Sequence, residues 1–495
     1  MPLNLSNRDQ NSGHLFYNRR LRAAVTRFSV RMKHDDRKQQ AALALSGVFV
    51  VLVCGWMALL QVLRPAGLAG ESSIVGNRDT GAVYARIDGR MHPALNLTSA
   101  RLAIGNPVDP VWVKADEIDR YPTGPLVGIP GIPDKLMISS NRVSAWTICD
   151  DTADRNGAAP VVTAIGGELP ADGRADAIPD NQAILAHHAN ATYLIWNGKR
   201  SRIEPADRAL AFNLGLNPAK THPVEMSNAL FDAVPATEPI VVPAVPGAGS
   251  PSRLIPGSVV GRVLATRDAT GEANGFYVLL PNGVQRITPF VADLLRAADS
   301  HGAMAPQLIA PDDLLRIPEI DVLQVGFYPT GRLIFVDTAA SPVTCVSWTK
   351  GSTDPQARIT LLNGKGLPTP EHLDARIVSL VRDNRGPNSI EAQQTLMIPG
   401  AVNFVASTTG GVTGTTRESL FWVSPQGVRY GIEGDRETLS ALALDPARAA
   451  QAPWPILRAF AAGPAISRAD AMLARDAIAT ASGGQMLAGN GSGEG

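Results

Sequence analysis

The stretch TYLIWNGKRSRIEP, residues 192–205, decides the fold of most of this chain. Apolar and aromatic residues surround Asn197-Gly198, a pair that favours the positive φ angles of a type I′ turn. Three other stretches share the pattern of a strand, a two-residue turn ending in glycine, and a second strand. They are AVYARIDGRMHPAL (82–95), FYVLLPNGVQRITP (276–289) and LFWVSPQGVRYGIE (420–433). We expect four β-hairpins, with Gly89, Gly198, Gly283 and Gly427 in their turns.

Similar sequence follows each predicted hairpin. A short helical stretch ending in leucine comes first, for example DRALAFNLGL (207–216) or DRETLSALAL (435–444). A proline-containing link and a second helical stretch come next, for example ALFDAVPATEPIV (229–241). The alternative is a coincidence among common hairpins, but the downstream segment matches in all four. The sequence therefore predicts four diverged repeats of about 50 to 60 residues.

Residues 41–63, AALALSGVFVVLVCGWMALLQVL, contain no charged side chain. At about 1.5 Å per residue, a helix of this length crosses a hydrocarbon core of about 30 Å. A buried helix in a soluble domain would normally be polar on one face. A cleaved signal peptide would have a shorter apolar core nearer the N-terminus. We therefore predict a transmembrane helix, in which Cys54 stays reduced.

Charge is unevenly distributed about this span, although 45 basic and 45 acidic residues cancel over the whole chain. Residues 1–40 hold nine Arg or Lys and three Asp, a net charge of +6, which leaves −6 for the rest. By the positive-inside rule, the N-terminus is cytoplasmic and the region after the span is extracytoplasmic. The zero total also removes the argument for a nucleic-acid binder with a basic surface.

The segment His14–Lys33 has apolar residues at helical spacing opposite its arginines. This pattern predicts a basic amphipathic helix at the inner membrane surface. The helix either sets topology as a solvated juxtamembrane element or is a docking site for a cytoplasmic partner. Its cationic residues are Arg19, Arg20, Arg22, Arg27, Arg31 and Lys33.

The turn glycines are spaced too irregularly for directly stacked repeats. Extra sequence lies at about 138–185 and 321–415, and each insert holds one cysteine with a tryptophan nearby, in SAWTICD and SPVTCVSWTK. The inserts are therefore predicted to be two halves of one central domain. Cysteines in similar strand-like settings in an oxidising compartment most simply form a disulfide. We predict a bond between Cys149 and Cys345.

The predicted fold class is α+β, with a single N-terminal transmembrane helix and an elongated periplasmic region. That region comprises four ββα-type repeats around a split, β-rich central domain with one disulfide. The predicted segments are a cytoplasmic basic segment (1–40), the transmembrane helix (41–63), repeat 1 (72–137), the first central half (138–185), repeat 2 (186–250), repeat 3 (255–320), the second central half (321–415), repeat 4 (416–475) and a disordered tail (479–495).

Recognisable catalytic motifs are absent from the sequence. The nearest echoes of a phosphate-binding loop, WNGKRS (196–201) and NGKGLP (363–368), lack its first glycine. H-E-x-x-H, C-x-x-C and G-x-S-x-G are also missing. His187 and His188 are adjacent, and consecutive strand residues point to opposite faces, so they make a poor metal site. We predict no catalytic, metal-binding or cofactor-binding residues.

Several motifs together resemble one known family. They are QNSGHLFYNRRLRAAVTRFSVRM before the span, MHPALNLTSARLAIGNP (91–107), GPLVGIPG (124–131), SAWTICD, KRSRIEPADRA, SPVTCVSW, ESLFWVSPQGVRYGI and APWPILRAFAAGPAISRADAML. From about residue 8 to about 475 the sequence resembles the EccB family, a core membrane component of type VII (ESX) secretion systems. Among paralogues it is most similar to that of the second ESX locus.

This resemblance implies a scaffold subunit that organises the periplasmic part of the secretion complex. The implied partners are the EccC ATPase, EccD, EccE, the mycosin protease, the lipid bilayer and further copies of the chain, as dimers within a hexameric complex. Each repeat is also similar to a phage-lysin cell-wall-binding subunit, which adds peptidoglycan as a partner. The family is catalogued as an ATPase. An extracytoplasmic enzyme or a cell-wall anchor therefore stays open as an alternative, with ATP the only cofactor that the family suggests.

Overall fold

The computed structural model describes residues 8–28, 33–63, 68–153, 159–217, 221–268, 270–381 and 389–478. Within these residues, two N-terminal helices precede a region of five β-sheets and short helices. The α+β class is therefore confirmed. The predicted tail and Arg31 lie outside the described residues.

The N-terminal helices differ in their bounds from the predicted ones. Helix α1 (Arg8–Arg27) begins earlier and ends earlier than the predicted helix over 14–33. Phe28 follows it with a φ of 49°, which is outside the α-helical range. Helix α2 (Lys33–Leu63) extends the predicted span toward the N-terminus, because residues 33–40 contain neither glycine nor proline to end it.

The remaining elements alternate short strands with short helices. The first sheet and the start of the central sheet contain β1 (Ile74–Asn77), β2 (Val83–Ile87), β3 (Arg90–Ala94), α3 (Leu97–Ile104), β4 (Val111–Val113), α4 (Ala115–Ile118), β5 (Leu126–Val127), β6 (Val143–Asp151), β7 (Val161–Gly166) and β8 (Ala175–Ala177). The second and third sheets follow with β9 (Gln182–His188), β10 (Ala191–Trp196), β11 (Lys199–Ile203), α5 (Arg208–Leu214), β12 (Val224–Glu225), α6 (Asn228–Ala233), β13 (Val263–Arg267), β14 (Ala273–Leu280), β15 (Gly283–Ile287), α7 (Pro289–Ala298), β16 (Gln307–Leu308) and α8 (Pro311–Leu314).

The C-terminal half returns to the central sheet and then forms the fourth sheet. Its elements are β17 (Ile334–Phe335), β18 (Val343–Gly351), β19 (Arg358–Gly364), a 3₁₀ helix (Glu371–Arg376), β20 (Val378–Ser379), β21 (Gln394–Met397), β22 (Phe404–Thr408), β23 (Leu420–Val423), β24 (Val428–Ile432), α9 (Arg436–Ala441), a 3₁₀ helix (Pro446–Arg448), β25 (Ala450–Pro453), α10 (Trp454–Leu457), β26 (Ala461–Ala462), α11 (Arg468–Ala471) and β27 (Ala474–Arg475).

Four of the sheets share one topology. In each, three consecutive antiparallel strands form a meander, and a helix follows. A short strand then pairs in parallel with the first strand of the meander, as β4 does with β1, β12 with β9, β16 with β13 and β25 with β22. After a second helix, the chain pairs in parallel with the third strand of the meander. The sequence predicted only the second and third strands, so the ββα description misses one strand before each hairpin.

The four hairpin turns are of different kinds. Asp88-Gly89 and Asn197-Gly198 have positive φ at both residues, as type I′ turns require. The type I′ prediction is wrong for Gly283, which does not have a positive φ. Its turn is formed by Pro281-Asn282, and a proline ring fixes φ near −65°. The two-residue prediction is wrong for Gly427, because β23 and β24 are joined by the four residues 424–427.

Gly283 is needed for a close approach of two backbones. A Cβ atom at this position would lie 2.4 Å from the carbonyl oxygen of Pro318, whose segment is bonded to Val284 in both directions. Gly283→Ala is therefore expected to lower the free energy of unfolding by about 1–3 kcal/mol, as overpacking does. Gly434→Ala is the matched control, since its Cβ would meet no atom within 4 Å. Equal denaturation midpoints for the two variants would contradict the expectation.

The central sheet has seven strands in the order β20-β21-β7-β6-β18-β19-β8. Three of them come from the first insert and four from the second, and β6 pairs with β18 at the centre. Two expected segment boundaries are wrong. Strand β9 of the second sheet begins at Gln182, before the boundary at 185/186, and β22 of the fourth sheet begins at Phe404, before 415/416.

Shared hydrophobic cores connect the sheets. Helix α3 packs against α9, and α5 packs against α7, so the first sheet joins the fourth and the second joins the third. One face of the central sheet packs against α6 and against α10 with its neighbouring strands. At the C-terminal end, β27 pairs with β5 and so adds a strand to the first sheet. The central sheet thus holds the two pairs of smaller sheets together.

Candidate functional site

The predicted disulfide is present at the middle of the central sheet. Cys149 on β6 and Cys345 on β18 are directly opposite in register, with a Cα–Cα distance of 4.1 Å. Both are fully buried, and on the other face Trp146 lies opposite Trp348. Cys54 of α2 is a free cysteine. The bond fastens the two inserts, which are far apart in the sequence, at their central strand pair.

A buried carboxylate fixes helix α6 to this sheet. The side chain of Asp150 accepts hydrogen bonds from the backbone N–H (2.7 Å) and the hydroxyl (2.6 Å) of Ser227. Ser227 in turn is the N-cap of α6 and accepts from the N–H of Leu230 at 3.1 Å. Burial raises the pKa of Asp150 to about 7, although both bonds from Ser227 favour the ionised form. Asp150 therefore changes its charge near neutral pH.

The other end of α6 binds the fourth sheet. Asp232 of α6 forms an ion pair with Arg458, which directly follows α10. Phe231 stacks on His188 at 3.9 Å and lies under the guanidinium of Arg200 at 3.9 Å. Helix α6, with Asp150 and Arg458 at its two ends, is therefore a three-way junction between the central, second and fourth sheets. We call this the α6 junction.

The α6 junction is expected to make the free energy of unfolding of the protein fall as the pH rises from about 4 to about 7. In the unfolded state Asp150 has its ordinary pKa of 3.8 and loses its proton above that pH. In the folded state, with a pKa of about 7, it keeps the proton up to neutral pH, so stability falls between these two values. One pKa unit corresponds to about 1.4 kcal/mol, so the total is a few kcal/mol. Chemical denaturation at pH 5 and pH 8 measures it. Asp150→Asn should remove this dependence of the free energy of unfolding on pH. The control Asp180→Asn, at an exposed position, should keep it. The same pH dependence in both variants would contradict the role given to Asp150.

The adjacent histidines do not form a metal site together. His187 Nδ1 lies 2.8 Å from Glu225 Oε1, while His188 Nδ1 lies 3.1 Å from the carbonyl oxygen of Met226 and its ring stacks on Phe231. Within the described ranges, no group of three or more His, Cys, Asp or Glu side chains could hold a metal ion.

Neither segment that is similar to a phosphate-binding loop has the geometry of such a loop. WNGKRS forms the turn between β10 and β11, and its Gly198 packs against Ile359. NGKGLP lies at the end of β19, where Gly364 packs against the backbone of Arg174 and Ala175. A phosphate-binding loop needs the N-terminus of an α-helix behind it, and no described α-helix begins directly after either segment.

A surface cleft of about 920 Å³ opens beside the α6 junction. It is lined by the hairpin turn at Asn197-Gly198, by the β18–β19 connection and by residues 411–413. Three cationic side chains line it, those of Lys199, Lys350 and Arg358. The cleft is the place where the second sheet, the central sheet and the fourth unit, which is the fourth sheet with its helices, meet at the surface.

The N-terminal helices form a separate candidate site. Residues 40–59 of α2 are long and apolar enough to cross a membrane, with a mean hydropathy of 2.3. On α1 the apolar side chains of Leu21, Val25 and Phe28 next to it are exposed. Arg19, Arg20, Arg22 and Arg27 lie on the same helix, whereas Lys33 begins α2. The predicted basic segment is therefore divided between two helices.

The family model T7SS_ESX1_EccB, described as "Type VII secretion system ESX-1, transport TM domain B", matches residues 3–480. The chain belongs to the EccB family. It is 61% identical to "ESX-2 secretion system ATPase EccB2" of Mycobacterium tuberculosis, over 97% of each chain. To "ESX-3 secretion system ATPase EccB3" of Mycolicibacterium smegmatis it is 38% identical, over 96% of this chain and 91% of the relative. These values confirm the predicted likeness to the EccB paralogue of the second ESX locus.

Solved EccB structures have the same fold. A chain of the intact ESX-5 inner membrane complex matches with a TM-score of 0.76 at 34% identity, over 99% of both chains. The EccB3 dimer from the ESX-3 core complex matches with a TM-score of 0.71 at 36% identity, over 81% of this chain and 100% of that chain. The likeness covers the N-terminal helices as well as the sheets.

The residues of the α6 junction escaped the sequence-based predictions. Asp150 and Ser227 are 77 residues apart, and Asp232 and Arg458 are 226 residues apart. Asp150 does follow the cysteine in SAWTICD, within a run of otherwise apolar or small residues. A carboxylate in such a strand is rarely fully buried without a partner, and this is the one signal that could have marked it.

Proposed function

We propose that this protein is a non-catalytic structural subunit of a type VII (ESX) inner-membrane secretion complex. The observation that carries the proposal is the likeness, over 99% of both chains, to a chain of the intact ESX-5 inner membrane complex. The shared fold extends from the apolar helix to the last sheet. A protein built of sheets around a disulfide-bonded centre, with a membrane anchor, suits a scaffold that holds partners at fixed positions.

The proposed topology has the N-terminus in the cytoplasm and the sheets in the periplasm. Nine basic residues precede the apolar segment, whereas Arg64 and Arg78 are the basic residues in the 20 that follow it. This asymmetry orients a single span. The disulfide between Cys149 and Cys345 agrees with that placement, because stable disulfides are typical of oxidising compartments.

The sheets are best explained as four repeats around a split central domain. The common topology of the four smaller sheets supports this division. With the strands included, the repeats begin near residues 72, 182, 255 and 404. Such repeats offer extended surfaces to several partners. The proposed partners are the EccC ATPase, EccD, EccE, the mycosin protease and further copies of the chain, as dimers within a hexamer.

Affinity purification of the full-length protein from native membranes tests the scaffold proposal. Mass analysis should then find other ESX membrane subunits at comparable abundance. A variant with Asp or Glu at the α1 arginines Arg19, Arg20 and Arg22 should lose cytoplasmic partners while keeping periplasmic ones, if α1 is a docking site. Recovery of the wild-type protein alone, as a small detergent-solubilised species, would overturn the proposal.

The alternative function is that of an extracytoplasmic ATPase, because the curated relatives carry that word in their names. The described part of the chain offers no phosphate-binding loop and no acidic metal cluster. We therefore expect purified full-length protein with Mg²⁺ to hydrolyse ATP no faster than the buffer does. Turnover that a point mutation abolishes would establish the enzyme, and retention on isolated peptidoglycan without turnover would indicate a cell-wall anchor.

A further inference from the structure

The cleft beside the α6 junction has three cationic and two acidic residues in its lining, a net charge of +1. The chain beyond residue 40 has a net charge of −6, yet Lys199, Lys350 and Arg358 all line this one cleft. Among the described residues, none of the three forms an ion pair. Lys350 donates to the Gln451 amide oxygen at 2.8 Å, and Lys199 lies 5.1 Å from the Trp196 ring centroid.

The two carboxylates of the cleft, Asp354 and Glu168, each accept a hydrogen bond from an uncharged donor. Asp354 Oδ2 accepts from the backbone N–H of Gly351 at 2.9 Å, which fastens the β18–β19 connection. Glu168 Oε2 accepts from the side-chain amide of Asn141 at 3.4 Å. Ammonium and guanidinium groups donate charge-assisted hydrogen bonds to a bound anion.

The walls of the cleft suit the carbon skeleton of a ligand. Ala357, Ile359 and Val412 form apolar parts of its lining, and the N–H of Ala357 is bonded to the carbonyl oxygen of Val412 at 2.9 Å. These apolar groups offer contacts to the carbon skeleton of a ligand beside its charged groups. A volume of about 920 Å³ is in the range of sites for small molecules.

We propose that this cleft is a binding site for a small ligand with two or more phosphate or carboxylate groups. Lys199 comes from the hairpin turn of the second sheet, while Lys350 and Arg358 come from the central sheet. A dianionic ligand therefore bridges the two sheets. Binding stabilises the arrangement in which both cationic sides face the ligand. The site is independent of the proposed scaffold function, since it requires no other subunit.

Titration calorimetry on the full-length protein in detergent tests the site. Inorganic pyrophosphate is the phosphate probe and citrate is the carboxylate probe, both at low ionic strength because salt screens such contacts. We expect saturable 1:1 binding of at least one probe, and the tighter of the two identifies the chemistry of the ligand. The double variant Lys199→Gln with Arg358→Gln should weaken binding at least tenfold, because it removes two of the three cationic groups of the cleft.

The matched control is Lys135→Gln with Arg253→Gln, which removes the same charge from two exposed positions outside the cleft. It should bind like the wild type. Arg358→Gln alone, an exposed position that should not affect folding, should give an intermediate affinity. Equal weakening by the cleft and control pairs would overturn the proposal, because it would show binding to net charge only. Failure of both probes to bind at millimolar concentration would also overturn it, whatever complexes the protein forms.

Discussion

Replacing Cys149 by alanine is expected to lower the free energy of unfolding by about 5 kcal/mol, the largest effect of any single change considered for this chain. The bond to Cys345 closes a loop of 196 residues. In the chain-entropy model, opening a loop of that length returns a large conformational freedom to the unfolded state. The loop includes the whole second and third sheets, so without the bond nothing links the two sequence halves of the central sheet in the unfolded chain.

Chemical denaturation of the full-length protein in detergent measures this loss, with the wild type under oxidising and reducing conditions as a second comparison. Cys54→Ala is the matched control because Cys54 is the free cysteine of the described chain and lies in the apolar helix. It should leave the denaturation midpoint unchanged. A Cys149→Ala midpoint equal to that of the control would show that the bond adds nothing to stability.

Trp146→Ala is expected to cost about 3–5 kcal/mol, the usual range for a large aromatic side chain truncated in a core. Trp146 is fully buried, and its indole N–H donates to the Ser144 hydroxyl at 2.8 Å. Its ring meets that of Phe460 edge to face at 5.5 Å. Because Phe460 belongs to the fourth unit, the substitution opens a cavity where the central sheet and that unit share a core.

Trp454→Ala provides the comparison for Trp146→Ala. Trp454 is 38% exposed, and it contacts Phe421 and Arg429 on the outside of the same unit. Its loss should cost less than the loss of Trp146, since part of its ring is already in water and its removal leaves no enclosed cavity. Hydrogen exchange of β6 and β25 should rise sharply in Trp146→Ala and little in Trp454→Ala. Similar exchange in both variants would place the contact between sheet and unit elsewhere.

The sequence was sufficient to predict those structural features that depend on a few neighbouring residues or on composition alone. Asn197-Gly198 predicts a type I′ turn because only positive φ satisfies that turn, and the structure has it. The charge-free run at 41–63 predicts a spanning helix from its length alone. The cysteine pair could also be assigned, because the chain beyond the span offers no other cysteine.

The sequence-based predictions failed where the local structure depends on a contact with a residue distant in the sequence. Strand β1, the first of its meander, consists of the four residues IVGN, which do not alternate between apolar and polar side chains. Gly283 was assigned to a turn although its reason is the Pro318 carbonyl oxygen, 35 residues later. Apart from Asp150 in its apolar strand, the α6 junction could not be predicted, because Ser227 and Arg458 are ordinary residues until folding brings them to Asp150 and Asp232.

The pairing of β27 with β5 sets the order in which the protein can be completed. Ribosomes add about 5–20 residues per second, so the first sheet waits tens of seconds for its last strand. Strand β6 likewise exists with an open edge until β18 has been made. During that interval, early strands expose hydrogen-bonding groups and apolar side chains to any nearby chain. Folding helpers that shield newly made segments should therefore matter more for this protein than for one whose sheets close in sequence order.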